Sequence, residues 1–129
     1  MVDADWDGEI MHPTNDVLAR SMALARRLRE GTSPFVGKGL RHLLTEAGFT
    51  RCEGYARVVH YGSADKVAAL GTFAAGLFTS SATRVRAIDS GLASEEDLDE
   101  MGGAWVDWGS QPGAFFVRLW FEAIGWADL

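Results

Sequence analysis

Residues 114–122 read AFFVRLWFE, and this stretch decides the fold class because its side chains alternate as those of a β-strand do. One face carries only apolar side chains, namely Phe115, Val117, Leu119 and Phe121. The other face is mixed and carries Phe116, Arg118, Trp120 and Glu122. Aromatic and β-branched residues favour the extended backbone, so this stretch predicts the strongest strand of the chain.

A second strand is predicted upstream, over residues 50–61. This stretch, TRCEGYARVVHY, also alternates and is rich in aromatic and β-branched residues. Two strands alone form a marginal sheet, because both edges stay open and little surface is buried. A further strand must complete the sheet, and either residues 1–6 or a second copy of the chain would supply it.

The remaining segments have apolar residues at helical spacing, which predicts four to five helices. Thr14 is a candidate N-cap for the first, Ser63 for the third, and Ser94 with Asp97 resembles a capping box for the last. Gly48 is placed for a left-handed C-cap. The predicted helices span about 14–30, about 37–47, a long segment after Ser63, a short piece to Gly91, and a segment after Ser94. The chain is therefore expected to be an α+β protein, a small antiparallel sheet packed with helices in a single domain over residues 1–129.

Composition excludes several classes of protein. The 129 residues are 47% hydrophobic and 23% charged, which is typical of one folded domain. The formal charge of −6 disfavours binding to nucleic acid or to an anionic membrane surface. A single cysteine, Cys52, and the lack of a signal or membrane-spanning pattern predict a cytoplasmic protein. The excess of Arg over Lys, with abundant Ala and Gly, indicates a GC-rich bacterial genome.

Motifs for metals and nucleotide cofactors are missing from the sequence. The three histidines, His12, His42 and His60, lie in different predicted elements, and no H-E-x-x-H or C-x-x-C spacing occurs. No G-x-G-x-x-G follows a strand, and no P-loop is present. The sequence therefore predicts neither a metal site nor a cofactor site.

Five tryptophans are the unusual feature of so short a chain. Large aromatic side chains usually form the core, but together with a few polar groups they also line pockets for small apolar ligands. The candidate substrate-binding residues are Trp6, Trp105, Trp108 and Trp120. The polar residues that could serve such a pocket, and hence the candidate catalytic residues, are Asp5, His60, Tyr61 and Arg118.

Several segments in order resemble the C-terminal half of class I S-adenosylmethionine-dependent methyltransferases that act on small molecules. The first is Asp3-Ala4-Asp5-Trp6-Asp7-Gly8, which is similar to the end of that family's fifth strand. An Arg-rich helix follows, and then GKGLRHLLTEAGF over residues 37–49 resembles the helix that leads into the sixth strand. The tail is also similar, with AWVDWG at 104–109, PGAFF at 112–116 and EAIGW at 122–126.

The resemblance covers nearly the whole chain and implies a specific arrangement. It implies that residues 114–122 correspond to the seventh strand, which in the relatives lies between the fifth and the sixth. Asp5 and Trp6 match a motif near the relatives' active site. The family's cofactor site is built by its first half, with a Gly-rich loop after strand one and an acidic residue after strand two, and neither occurs here. An autonomous methyltransferase is therefore not expected, and no cofactor-binding residue is carried over.

Two functions follow as expectations. The first is a small-molecule-binding protein or enzyme that keeps the substrate side without methyl transfer, with cyclisation or isomerisation of an apolar natural-product intermediate as its chemistry. The alternative is an interaction module, or a split-methyltransferase subunit, that needs a separate cofactor-binding chain. A chain without activity of its own is the third reading. Because one edge of strand 114–122 is expected to lack a neighbour, a homodimer through that edge is also predicted.

Overall fold

The structure is a computed structural model, and it describes residues 1–29 and 33–128. These residues form three strands, five α-helices and one short 3-10 helix, so the predicted α+β class is confirmed. In chain order the elements are β1 (Val2–His12), α1 (Asp16–Arg27), the 3-10 helix (Gly37–Gly39), α2 (Leu40–Glu46), β2 (Arg51–Tyr61), α3 (Ala64–Thr79), α4 (Ser81–Asp89), α5 (Glu95–Gly109) and β3 (Phe115–Trp126).

The sheet is antiparallel with the strand order β1–β3–β2. Of the two alternatives for completing the sheet, the N-terminal segment supplies the third strand, and it runs to His12 and not only to residue 6. Because β3 is central and hydrogen-bonded on both sides, the prediction that strand 114–122 has an unpaired edge is wrong. The homodimer predicted through that edge loses its structural premise, since no backbone groups are left there for a second copy.

Helix starts follow the capping rules with one shift. Asn15, and not Thr14, caps α1, and its Oδ1 accepts a hydrogen bond from the backbone N–H of Leu18 at 2.9 Å. The capping box is confirmed, because the N–H of Asp97 donates to Ser94 Oγ at 3.1 Å while the N–H of Ser94 donates to Asp97 Oδ2 at 2.9 Å. Residues 30–32, on which the predicted end of the first helix falls, lie outside the described residues.

The chain divides into two compact units. The first comprises residues 1–10, 32–60 and 117–129, and its small core consists of Leu40 and Leu44 of α2 against Ala123 of β3. The free thiol of Cys52 is half-buried beside this core. The single-domain expectation stays a prediction.

The second unit comprises residues 11–31 and 61–116, and α5 packs there against α1 and α3. Four apolar residues at helical spacing form the buried side of α5, namely Leu98, Met101, Trp105 and Trp108. Helices α3 and α5 approach closely at Gly71, where a Cβ atom would lie 2.6 Å from the carbonyl oxygen of Trp105 and 2.9 Å from Gly109 Cα. Glycine at 71 thus sets the spacing of the two helices.

Candidate functional site

Trp105 and Trp108 are core residues of the second unit. Their rings pack edge-to-face with centroids 5.5 Å apart, and both contact Phe116. The indole N–H of Trp105 donates to Ser21 Oγ at 2.9 Å, and that of Trp108 donates to the carbonyl of His12 at 3.2 Å. Both polar atoms are therefore satisfied inside the protein, and neither is held ready for a ligand.

The other two candidate substrate-binding residues, Trp6 and Trp120, are half-buried in the first unit. Of the four tryptophans, Trp105 and Trp108 contact each other, and they do so inside a core. The part that any of the four plays in ligand binding stays a prediction.

The four candidate catalytic residues do not form one cluster. The ring of Tyr61 packs edge-on against Phe116 in the second unit, with the ring centroids 6.1 Å apart. His60 is exposed near the end of β2. Asp5 and Phe121 both face Gly37, but Arg118 is three residues from Phe121 on the same strand and so projects from the other face of the sheet.

Asp5 is buried in the first unit, where its carboxylate links β1 to the 3-10 helix before α2 by hydrogen bonds. Oδ2 accepts from the backbone N–H of Lys38 at 3.0 Å, and Oδ1 accepts from that of Asp7 at 3.0 Å, with the Lys38 ammonium 3.4 Å away. Burial by itself raises the pKa of Asp5, but these N–H donors and the ammonium outweigh it and hold the pKa below its ordinary value of 3.8. The arrangement is that of a structural carboxylate with both oxygens occupied.

Asp5→Asn is therefore expected to lower the free energy of unfolding at neutral pH by about 1–2 kcal/mol, because an amide supplies one acceptor oxygen and no charge for Lys38. Since the folded pKa lies below 3.8, the wild type gains this stability fully above that value and loses it as the pH falls below it. Urea unfolding between pH 7 and pH 3 checks both points. Asp3→Asn, an exposed position on the same strand, is the control and should change little; equal losses for both variants would contradict this role of Asp5.

Arg118 pairs with a buried carboxylate. Its Nε and a terminal nitrogen donate to Glu9 Oε1 at 3.0 Å and 2.8 Å, and the side chain of Glu9 is only 5% exposed. Glu122, on the other side of Trp120 along the strand, pairs with Arg57 at 3.1 Å. The two charged residues that flank Trp120 on the mixed face of the strand, Arg118 and Glu122, are therefore each paired with a charged residue of a neighbouring strand.

Arg118→Met is expected to cost about 1.5–3 kcal/mol of unfolding free energy, since it leaves the Glu9 carboxylate buried without its guanidinium. The matched control is Arg57→Met. Both side chains of the Arg57–Glu122 pair are exposed, so this substitution should cost less than about 1 kcal/mol of unfolding free energy. Chemical denaturation of the two variants and of Arg118→Met combined with Glu9→Gln measures the difference. Equal losses for the two single variants would show that burial of Glu9 has no special cost.

An open cleft of about 520 Å³ lies in the second unit, between the start of α1 and the C-terminal half of α5. Its lining includes Thr14, Val17, Leu18, Gly103, Asp107 and Trp108. The sequence did not identify this cleft, because its two sides are about ninety positions apart along the chain. The Gly102-Gly103 pair was the available signal, and a Cβ atom at Gly103 would meet nothing within 4 Å.

No three side chains of His, Cys, Asp or Glu come together as metal ligands anywhere in residues 1–29 and 33–128. Among the helices of those same residues, none has the length and apolar character needed to span a bilayer. Comparison of the chain with models of known protein families and with curated proteins finds no match.

Proposed function

We propose that this chain is an interaction module, the substrate-side half of a methyltransferase-like protein whose cofactor-binding half is supplied by a separate chain. The observation that carries the proposal is the exposed apolar face of α3. The strand order of the sheet supports it.

Helix α3 has no charged residue from Val67 to Thr79. One side of it is buried in the second unit through Val67, Ala74 and Phe78, but on the opposite side Phe73 is 66% and Leu77 46% exposed. A helix that is apolar all round is normally buried on all sides, because water disfavours such a surface. The exposed side of α3 therefore fits a surface that a partner covers.

The sheet order β1–β3–β2 is the order that the resemblance implies for strands five, seven and six. In doubly wound sheets strand four lies next to strand five, and the other strands of the first half of the chain follow on that same side. The equivalent position here is the outer edge of β1, so a cofactor-binding chain would join the sheet at that edge. An added strand would also remove one open edge of a three-stranded sheet.

The test is coexpression with a chain that is encoded nearby and carries a Gly-rich loop after its first strand. We expect a 1:1 complex in size-exclusion chromatography with light scattering, and calorimetric binding of S-adenosylmethionine by the complex alone. Phe73→Lys combined with Leu77→Lys should weaken assembly by about tenfold or more, because it places two charges in the contact.

The control for assembly is Val58→Lys, at an equally exposed apolar residue of β2 in the other unit. Two results would overturn the proposal. One is micromolar binding of S-adenosylmethionine by this chain alone. The other is a complex that forms as tightly with the α3 double variant as with the wild type.

The second candidate function is a small-molecule-binding protein, and the cleft favours it. A volume of about 520 Å³ lies within the range of ligand sites in proteins. The two functions are compatible, since the cleft and the exposed side chains of α3 involve different residues.

A further inference from the structure

We propose that the cleft between α1 and α5 binds a small organic cation, an amine or quaternary ammonium compound that carries an apolar group. This inference goes beyond the interaction module and needs no partner chain. It rests on the shape of the cleft, on the apolar part of its lining and on the charge of its rim.

The shape comes from one side of α5. Glu100, Gly103 and Asp107 follow one another at intervals of three and four residues, so they lie along one face of the helix. Gly103 is the middle member and has no side chain, and the space that a Cβ would enter is empty. The absent side chain leaves room for a ligand between the two carboxylates.

Part of the cleft lining, called its floor here, is apolar. It includes Val17 and Leu18 of α1 and Ala104 and Trp108 of α5. Leu18 and Trp108 are almost fully buried, so the carbon surface open to a ligand is that of Val17 and Ala104. A hydrocarbon group would replace water here with a gain from the hydrophobic effect.

The rim is acidic. Glu100 and Asp107 line the cleft, and its lining contains no Lys, Arg or His. One cation faces the rim from outside, because a terminal nitrogen of Arg20 lies 3.5 Å from Glu100 Oε2. Asp107 makes no ion pair among the described residues and is the better placed counter-ion. A ligand with positive charge and an apolar body matches this combination, whereas an anion would be repelled.

Three probes of similar shape test the proposal on the chain alone, namely 3-phenylpropylamine, 3-phenylpropan-1-ol and 3-phenylpropanoate. In NMR titrations we expect the ammonium form to bind with a Kd on the order of 1 mM, as befits so small a ligand. The alcohol should bind about tenfold more weakly and the carboxylate not measurably. The shifted resonances should be those of α1 and α5 residues at the cleft.

Two variants identify the site. Asp107→Asn should weaken the ammonium probe by about fivefold to tenfold and leave the alcohol unchanged. Gly103→Leu should weaken binding of both strongly, because its side chain would occupy the space between the two carboxylates. Gly76→Leu is the matched control, since that glycine is also in a helix with nothing within 4 Å of a Cβ, and it should bind as the wild type does.

Thermal unfolding of both leucine variants verifies that they fold. The proposal is overturned if the amine and the alcohol bind equally, if the amine does not bind, or if Gly103→Leu binds it as well as Gly76→Leu does. None of these results bears on the partner chain, which is tested by assembly and by binding of S-adenosylmethionine.

Discussion

Trp108→Ala is expected to lower the free energy of unfolding by about 3–5 kcal/mol, a large part of the total stability of a domain of this size. The indole is 1% exposed and packs against the rings of Trp105 and Phe116. Its removal would leave a cavity at the centre of the second unit and would strand the carbonyl of His12 without its donor.

Urea unfolding followed by circular dichroism measures this effect. Trp126→Ala, at a residue that is 40% exposed, is the matched control and should cost much less. Should Trp108→Ala fail to fold, Trp108→Phe keeps most of the ring and should show a smaller loss in the same direction. A Trp108→Ala protein that unfolds like the wild type would mean that the residue is not part of the core.

Gly71→Ala and Gly76→Ala are expected to have opposite effects, although both replace a glycine inside α3. At position 71 the new methyl group would press on the backbone of α5, which overpacks the helix pair at a cost of about 1–3 kcal/mol. At position 76 the methyl group meets nothing, and the better helix propensity of alanine should add about 0.5–1 kcal/mol.

The spread between the two glycine variants is then about 1.5–4 kcal/mol, which differential scanning calorimetry resolves readily. Each variant serves as the other's control, since they share a helix and a substitution. Equal melting temperatures would refute the close approach of α3 and α5 at Gly71. A stabilised Gly71→Ala protein would do so more strongly.

Local pattern in the sequence predicts the central strand and most helices, but it underestimates the length of β1, which runs from Val2 to His12 and not only over residues 1–6. Side chains alternate along 114–122, and this stretch forms the centre of the sheet. Residues 2–12 contain Asp3, Asp5 and Asp7, which disfavour strands by propensity. Pairing with β3 and the bonds that Asp5 accepts overcome that preference, and neither is visible in local sequence.

Helical spacing alone also does not indicate which side of an apolar helix is buried. The apolar residues of α3 at helical spacing include Phe73 and Leu77, which are exposed, as well as Val67, Ala74 and Phe78, which are buried. In α5 the charged residues lie on the outer side, so the pattern of apolar residues alone indicates which side is buried. For a similar reason the candidate catalytic residues Asp5 and Arg118 lie on opposite faces of the sheet, because residue type alone does not show from which face of a strand a side chain projects.

The position of β3 also has a consequence for the order of events during synthesis of the chain. The backbones of Met1 and Ala123 are hydrogen-bonded to each other across 122 positions of sequence. On the ribosome β1 and β2 therefore emerge well before the one strand that pairs with both of them. Helical contacts between near neighbours in sequence form first, and closing so long a loop is slow. We expect nascent chains that stop before residue 115 to contain formed helices and unpaired strands, which makes them substrates for chaperones.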